Sequence, residues 1–314
     1  MTDSPFLPNT NIQYAWDSTS LGYLKTCPRL YQYIMIDGWT PKDESIHLRF
    51  GIEYHKALEN YDRCRADGLN HEDSLFEAVR EALYRMEGWD PDPDTKAGKE
   101  KNPKSLVRSV VWYLDQYKDD NAKTYIRTDG KPAVELSFRF ELDWGPEHDK
   151  TILYVLCGHL DKVVTFVDEL FVLDRKTTTF RLTEYYFNQF DPNNQMSLYT
   201  LAAKVVLNAP IKGIIIDAVR LNGDTPEFGR RLTYRTDDQL EEWVGELRFW
   251  LRMAEGYATE GYWPRNDTAC DKYGGCRFRE VCSKSPQVRE EFLKASFVKV
   301  KPEERWNPLR VREG

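Results

Sequence analysis

The 314-residue sequence predicts an α/β fold, a mostly antiparallel core sheet sandwiched with helices. Three observations carry this. Residues 155–177, VLCGHLDKVVTFVDELFVLDRKT, read as two β-branched, apolar strands meeting at a tight turn. On either side, segments such as EDSLFEAVREALYRM place Leu75, Val79, Ala82, Leu83 and Met86 at helical spacing. No Pro- or Gly-rich linker divides the strands, so one domain over 1–298 is expected. With 18 Tyr, 15 Phe, 9 Trp and 41% hydrophobic residues, the chain can fill a sizeable core.

Residues 1–15 read as an irregular lead-in. A helix is predicted over 18–35, with Ser18, Thr19 or Ser20 as cap candidates, then one over 46–66 closed by Asp67–Gly68, and a third over 72–86. The Pro-, Gly- and charge-rich stretch 88–103 has no apolar period and reads as a long loop. A helix over 105–121 completes an N-terminal helical part at about 16–122. The core follows at about 132–260: a strand over 133–142, the hairpin, a helix over 194–207, strands over 212–221 and 230–235, and a long helix over 237–260. A cysteine-rich part occupies 261–298, and the charged, Pro-containing end (299–314) reads as a flexible tail.

No run approaches the length of a membrane span, and the N-terminus has neither a basic start nor an apolar stretch, so a cytoplasmic protein without membrane contact is expected. There, six cysteines point to ligands or core thiols rather than disulfides. A net charge of −7 argues against a surface that coats nucleic acid broadly, though not against a local basic groove.

Charges inside the hairpin are the main chemical signal. Asp161, Asp174 and Lys176 interrupt apolar strands, where a charge is costly unless it is paired or bound to a metal. A two-residue loop at Asp168–Glu169 sets Asp161 opposite Lys176 and Val163 opposite Asp174, all on one face. Two carboxylates beside an ammonium suit a divalent-metal hydrolase, with the Arg175 carbonyl as a further oxygen donor. A structural ion pair is the plainer reading. His55, in Gly51-Ile-Glu-Tyr-His55, is either a ligand, with Glu59 one turn on to orient it, or structural. Gln195 and Tyr199 share a helix face, to hold substrate or the lysine, or simply as a polar patch. Aromatic residues Tyr23, Tyr31, Trp39 and Tyr54 are candidates to stack on bases.

Cys270, Cys276 and Cys282 fall close together, and Cys27, followed by proline, is the natural fourth thiol. Four thiols suit a [4Fe–4S] cluster or a four-cysteine zinc site, and the lack of a C-x-x-C knuckle favours the cluster. Cys64 and Cys157 read as core thiols.

In order, Cys27, G-x-x-x-H (Gly51–His55), G-x-x-D (Gly158–Asp161), D-x-K (Asp174–Lys176), Q-x-x-x-Y (Gln195–Tyr199) and the cysteine trio resemble the RecB-type nucleases of the PD-(D/E)XK superfamily. The resemblance runs from about Thr19 to Cys282. Its nearest branch is the one closed by an iron–sulfur cluster, as in AddB-type helicase-nucleases, CRISPR adaptation nucleases and many phage exonucleases. It implies a restriction-endonuclease-like core, a mixed central sheet flanked by helices, with Mg²⁺ or Mn²⁺ held by His55, Asp161, Asp174 and the Arg175 carbonyl. Lys176 would be the catalytic lysine, assisted by Gln195 and Tyr199, and Glu135 on the preceding strand would join the site. Cys27, Cys270, Cys276 and Cys282 would hold the cluster and staple the two ends of the domain. The spacing within the trio is wider than the family often shows, and no G-x-x-x-x-G-K-[ST] motor motif is present.

The expected activity is therefore a metal-dependent DNA exonuclease acting on single strands or duplex ends in repair, recombination or phage and CRISPR DNA processing, with a recombination or helicase protein as a possible partner. The alternatives are an endonuclease and a DNA-binding recombination partner that retains the fold without turnover.

Overall fold

The computed structural model describes residues 4–222, 225–271 and 275–310. The chain forms two compact units. Glu44–Leu136 and His159–Asp237 make a central unit; the described residues up to Asp43, Ser137–Gly158 and those from Asp238 onward make a terminal unit.

In the terminal unit the expected irregular lead-in is ordered. Strand β1 (Ala15–Trp16) is buried and pairs in parallel with Val155–Leu156. The single helix predicted over 18–35 is broken. Asp17, rather than the serines after it, caps α1 (Ser18–Thr26) through reciprocal bonds with Ser20. The break falls at Cys27–Pro28, because proline lacks an N–H and forces extended backbone on the residue before it; Cys27 has φ −165°. Helix α2 (Pro28–Tyr31) restarts on Pro28, a π-helical turn runs to Ile36, and β2 (Trp39–Pro41) follows.

The central unit begins with α3 (Ile46–Ala66), which matches the predicted span and is capped by Ser45. With α4 (His71–Arg85) and α6 (Pro103–Gln116) it buries Phe50, Tyr54, Leu58, Leu106, Val110 and Leu114 in one cluster. Each such side chain contributes roughly 1.5–3 kcal/mol. The predicted 88–103 loop carries a short helix, α5 (Lys96–Glu100), capped by Thr95. Helix α6 starts earlier than predicted, since Asn102 caps it and Pro103 occupies its first position.

The strands are β3 (Lys123–Thr124), β4 (Val134–Glu141), β5 (Val155–Phe166) and β6 (Glu169–Thr178). After α7 (Glu184–Asn188) and α8 (Asn194–Leu207) come β7 (Ile211–Arg220) and β8 (Glu227–Thr233). β6 is central, antiparallel to β5 and parallel to β7, and β8 runs antiparallel to β7. β3 and β4 pair with β5. The sheet is thus mixed and flanked by helices, as the resemblance implies. The parallel β6–β7 step is what requires the intervening α7 and α8.

One correction matters for the chemistry. The hairpin turns at Val167–Asp168, both in left-handed backbone (φ 50° and 60°), and not at Asp168–Glu169. Left-handed geometry at both central positions gives the twist an antiparallel hairpin needs, but valine is an unusual residue there and gives no sequence signal. Pairing therefore runs Phe166↔Glu169, Val163↔Val172 and Lys162↔Leu173, instead of Val163 opposite Asp174. Carried one residue further, this register sets Asp161 against Asp174 rather than Lys176. A shift of two leaves every side chain on its predicted face.

The terminal unit resumes along α9 (Asp237–Glu260), then α10 (Arg279–Ser283), α11 (Arg289–Ser296) and β9 (Phe297–Lys299). The expected flexible tail is held at its start: β9 pairs antiparallel with β2. Beyond it, Arg305 donates to the Ile36 carbonyl (2.6 Å) and Trp306 Nε1 to Asp17 Oδ2 (2.9 Å). Residues 311–314 of that segment lie outside the described residues. Among the described residues, no helix is long and apolar enough to cross a membrane.

Candidate active site

Each predicted hydrolytic residue has a defined place in the central unit. His55 comes from α3, Glu135 from β4, Asp161 from β5, Asp174 and Lys176 from β6, and Gln195 and Tyr199 from α8. Gly51, one turn before His55, faces Thr177 on β6, whose Oγ1 would lie 3.6 Å from a Cβ at that position. Alternation along β6 puts Asp174 and Lys176 on one face and the Arg175 side chain on the other.

Ligand atoms of His55, Glu135 and Asp161 all lie within 4.8 Å of one another, a spacing that can hold a metal ion. His55 Nδ1 is 3.4 Å from Asp161 Oδ1, and the Arg175 backbone N–H donates to Asp161 Oδ2 at 2.8 Å. Glu135 is buried and has left-handed backbone, φ 47°. Asp174 stands beside this trio and holds Lys176, whose Nζ is 2.6 Å from Asp174 Oδ2. Lys176 also donates to Gln195 Oε1 (3.0 Å), and Gln195 Nε2 donates to the Tyr199 hydroxyl (3.0 Å). An Asp174–Lys176–Gln195–Tyr199 chain therefore runs from β6 to α8.

The two aspartates are driven apart electrostatically. Burial favours the neutral form of Asp161, but His55, Lys176 and the Arg175 N–H outweigh it and hold the carboxyl well below the ordinary range. For Asp174 burial prevails over Lys176, with the Asp161 charge adding to it, and its pKa is raised. Burial lowers His55, yet Asp161 more than restores it, and the net direction is up. His55 and Asp161 thus favour each other's charged form across 3.4 Å. Mg²⁺ and Mn²⁺ accept carboxylate oxygens and imidazole, so the donor set fits them.

Other expectations are corrected. Glu59 does not orient His55; it pairs with Lys56 (2.6 Å) and Arg63 (3.1 Å). Tyr31, Trp39 and Tyr54 are buried in the core and offer no stacking face. Arg175 brings no correction to the expected role of its carbonyl as an oxygen donor: its N–H donates to Asp161 and its guanidinium reaches Asp62. Asp62 also accepts from Lys162 Nζ at 2.7 Å, and neither residue stood out in the sequence. A signal for Asp62 existed: it lies seven residues after His55, two turns along the same helix face.

The four proposed cluster cysteines lie in the terminal unit and all are free thiols. The Asn266 N–H donates to Cys27 Sγ (3.3 Å), and the Cys276 N–H to the Cys270 carbonyl (2.8 Å). Burial raises Cys270 and Cys282, and Cys27 and Cys276 raise each of them further, although among the described residues no three of these sulfurs lie within 4.8 Å of one another. Residues 272–274, between Cys270 and Cys276, lie outside the described residues. Cys157 is a core thiol as expected, and Cys64 is half-buried.

The sequence profile of the PD-(D/E)XK nuclease superfamily matches residues 18–283, most of the chain. The chain belongs to the PD-(D/E)XK nuclease superfamily. As a member, it is a hydrolytic nuclease. The matched span contains the whole of the site above: His55, Glu135, Asp161, Asp174, Lys176, Gln195 and Tyr199 all fall within it. Among solved structures, a putative exonuclease from Eubacterium rectale is similar at 11% identity and TM-score 0.48, over 87% of this chain and 89% of that one. A structure named SSO0001 is similar at 11% identity and TM-score 0.32, over 75% and 76%. No curated protein matches.

Proposed function

We propose that this PD-(D/E)XK nuclease is a Mg²⁺- or Mn²⁺-dependent DNA exonuclease of the RecB-like branch, acting on single strands or duplex ends. The observation that carries the reading is the His55–Glu135–Asp161 trio beside the Lys176–Asp174 contact. His55, Glu135, Asp161, Asp174 and the Arg175 main-chain carbonyl would hold the cation. Bound there, it supplies the positive charge that polarises the scissile phosphate and lowers the pKa of water. Lys176 orients the attacking water or offsets the charge that develops on the phosphate. Asp174 and Gln195 together fix the ammonium in place, and Tyr199 fixes Gln195. Asp161, kept ionised by its surroundings, needs no deprotonation before it can act as a ligand.

Cys27, Cys270, Cys276 and Cys282 would hold a [4Fe–4S] cluster, with Zn²⁺ the alternative. The electrostatic influence of these thiols on one another and the backbone N–H on Cys27 Sγ support this, since such bonds stabilise thiolate sulfur. The biological setting in this reading is DNA repair, recombination or phage and CRISPR DNA processing in the cytoplasm, with a recombination or helicase partner.

A timed digest of 5′- and 3′-labelled single and double strands, in Mg²⁺ and in Mn²⁺, tests the activity. Mononucleotides or short products released progressively from one end are expected, and Asp174→Ala and Lys176→Ala should each abolish them with the fold intact. Full activity in either variant overturns the mechanism. Wild-type protein that binds DNA without turnover replaces it with the DNA-binding alternative, and internal cuts in closed circles make it an endonuclease.

A further inference from the structure

The segment that follows Lys176 presents two aromatic rings to solvent. Phe180 is 70% exposed and Tyr185 is 90% exposed. Between them Arg181 is exposed, with no carboxylate partner among the described residues. Tyr185 is the most exposed large hydrophobic side chain among the described residues.

This segment is tied down at several points, so the rings are placed rather than loose. The Phe180 N–H donates to Thr178 Oγ1 (3.0 Å). Leu182 packs on β8, where a Cβ at Gly229 would come 3.1 Å from its Cδ1. Thr183 caps α7 through the Tyr186 N–H. Tyr186 itself is buried against Phe187 and Phe190, bonds to Thr178 and lies within the field of Asp174. Tyr185 is therefore the neighbour of a residue that touches the end of β6, and Phe180 lies four residues beyond Lys176 in the chain. The segment that carries both rings is thus anchored at the end of β6, the strand of Asp174 and Lys176. The aromatic residues suggested from the sequence cannot play this part, because three of the four are buried.

We infer that Phe180, Arg181 and Tyr185 form a subsite for unpaired nucleotides, the rings stacking on bases and the guanidinium meeting a backbone phosphate, so that the enzyme prefers single-stranded DNA. The inference rests on the proposed nuclease reading. The chemistry fits one occupant. Successive bases of a single strand present flat π-faces without regard to sequence, with a phosphate between them. A duplex hides all but its terminal faces inside its stack and offers no run of successive bases to two rings.

Equilibrium binding and kinetics on fluorescein-labelled oligo(dT) and on a blunt duplex test this, with Ca²⁺ replacing the catalytic ion in the binding arm. For Phe180→Ala/Tyr185→Ala, single-strand affinity should fall about tenfold or more per ring, with duplex affinity little changed. The loss should appear in KM rather than kcat, and Tyr185→Phe should retain wild-type behaviour. Arg181→Gln should reduce the slope of log K against log salt by about 0.7, one single-strand phosphate contact. Circular dichroism confirms folding, and surface exposure makes disruption unexpected. Unchanged single-strand binding in the double variant, or equal losses on both substrates, overturns the subsite while leaving the nuclease reading intact. Wild-type protein that cuts no DNA overturns the nuclease reading, and the binding arm still decides whether these rings hold single strands.

Discussion

Arg175 donates its backbone N–H to Asp161 Oδ2 over 2.8 Å. The guanidinium of the same residue lies on the other face of β6 and engages Asp62, which also accepts from Lys162. The middle residue of D-x-K thus joins the acidic site to helix α3, the helix that carries His55. Burial disfavours Asp62 as an anion, but Lys162 and Arg175 prevail and hold its pKa down.

Asp62→Ala leaves two buried cations without their acid and should lose about 3–5 kcal/mol, read as a lower midpoint in urea. Because the folded pKa of Asp62 is depressed, its contribution is present above the unfolded carboxylate range and fades as pH falls through the folded value. The variant's deficit should therefore shrink in acid. A deficit that is constant with pH would assign the loss to packing instead.

Cation binding should register as stability. At a hundredfold excess over Kd, a ligand specific to the native state adds about 2.7 kcal/mol. Melting of the wild type should rise with added Mn²⁺, by roughly 2–4 °C per kcal/mol. Asp161→Asn and Glu135→Gln should each flatten that response, and Gln195→Ala should keep it. If Glu135→Gln responds as fully as the wild type, Glu135 is no ligand.

Lys101 is a buried ammonium over the Phe50 ring, 5.5 Å from its centroid. Burial pulls its pKa down to about 8, against a small opposing effect of Glu100. Between that value and the unfolded one near 10.4, the unfolded chain binds more protons, so stability should rise with pH across this window. Lys101→Met should melt higher than the wild type at pH 7 and lose the alkaline rise. Equal melting at pH 7 would show that the charge is not costly where it sits.

The cysteine set predicts colour. Anaerobically purified protein should be brown and hold about four irons per chain, and Cys27→Ser should lose both iron and thermal stability. Colourless protein carrying one zinc would assign the zinc alternative, and metal-free protein of full stability would remove both.

Much of this architecture was legible because one periodicity ruled each segment. Helices 46–66 and 237–260 and the strands of the hairpin follow from the sequence pattern, and the mixed sheet from the resemblance to the PD-(D/E)XK nucleases. The site residues were legible because charges inside apolar strands have few inexpensive explanations. What escaped depended on tertiary context. The hairpin loop was misplaced because Val167 adopts left-handed backbone that β-branched residues rarely take. Trp306 looked like part of a loose tail, yet its indole finds Asp17, a pairing 289 residues apart that no local pattern encodes. Tyr31 and Tyr54 looked like stacking platforms, whereas whether an aromatic ring is buried depends on what packs over it.

Glu135 sits in left-handed backbone at φ 47°, a conformation costing a side-chain-bearing residue of order 1–3 kcal/mol. Glycine would adopt it without strain, so the fold by itself would be better served by Glu135→Gly. The position is one where robustness and reactivity pull against each other: thermal selection would drift toward glycine and quietly erase the carboxylate. Stabilising campaigns on this scaffold therefore have to hold position 135 fixed and look for their gains elsewhere.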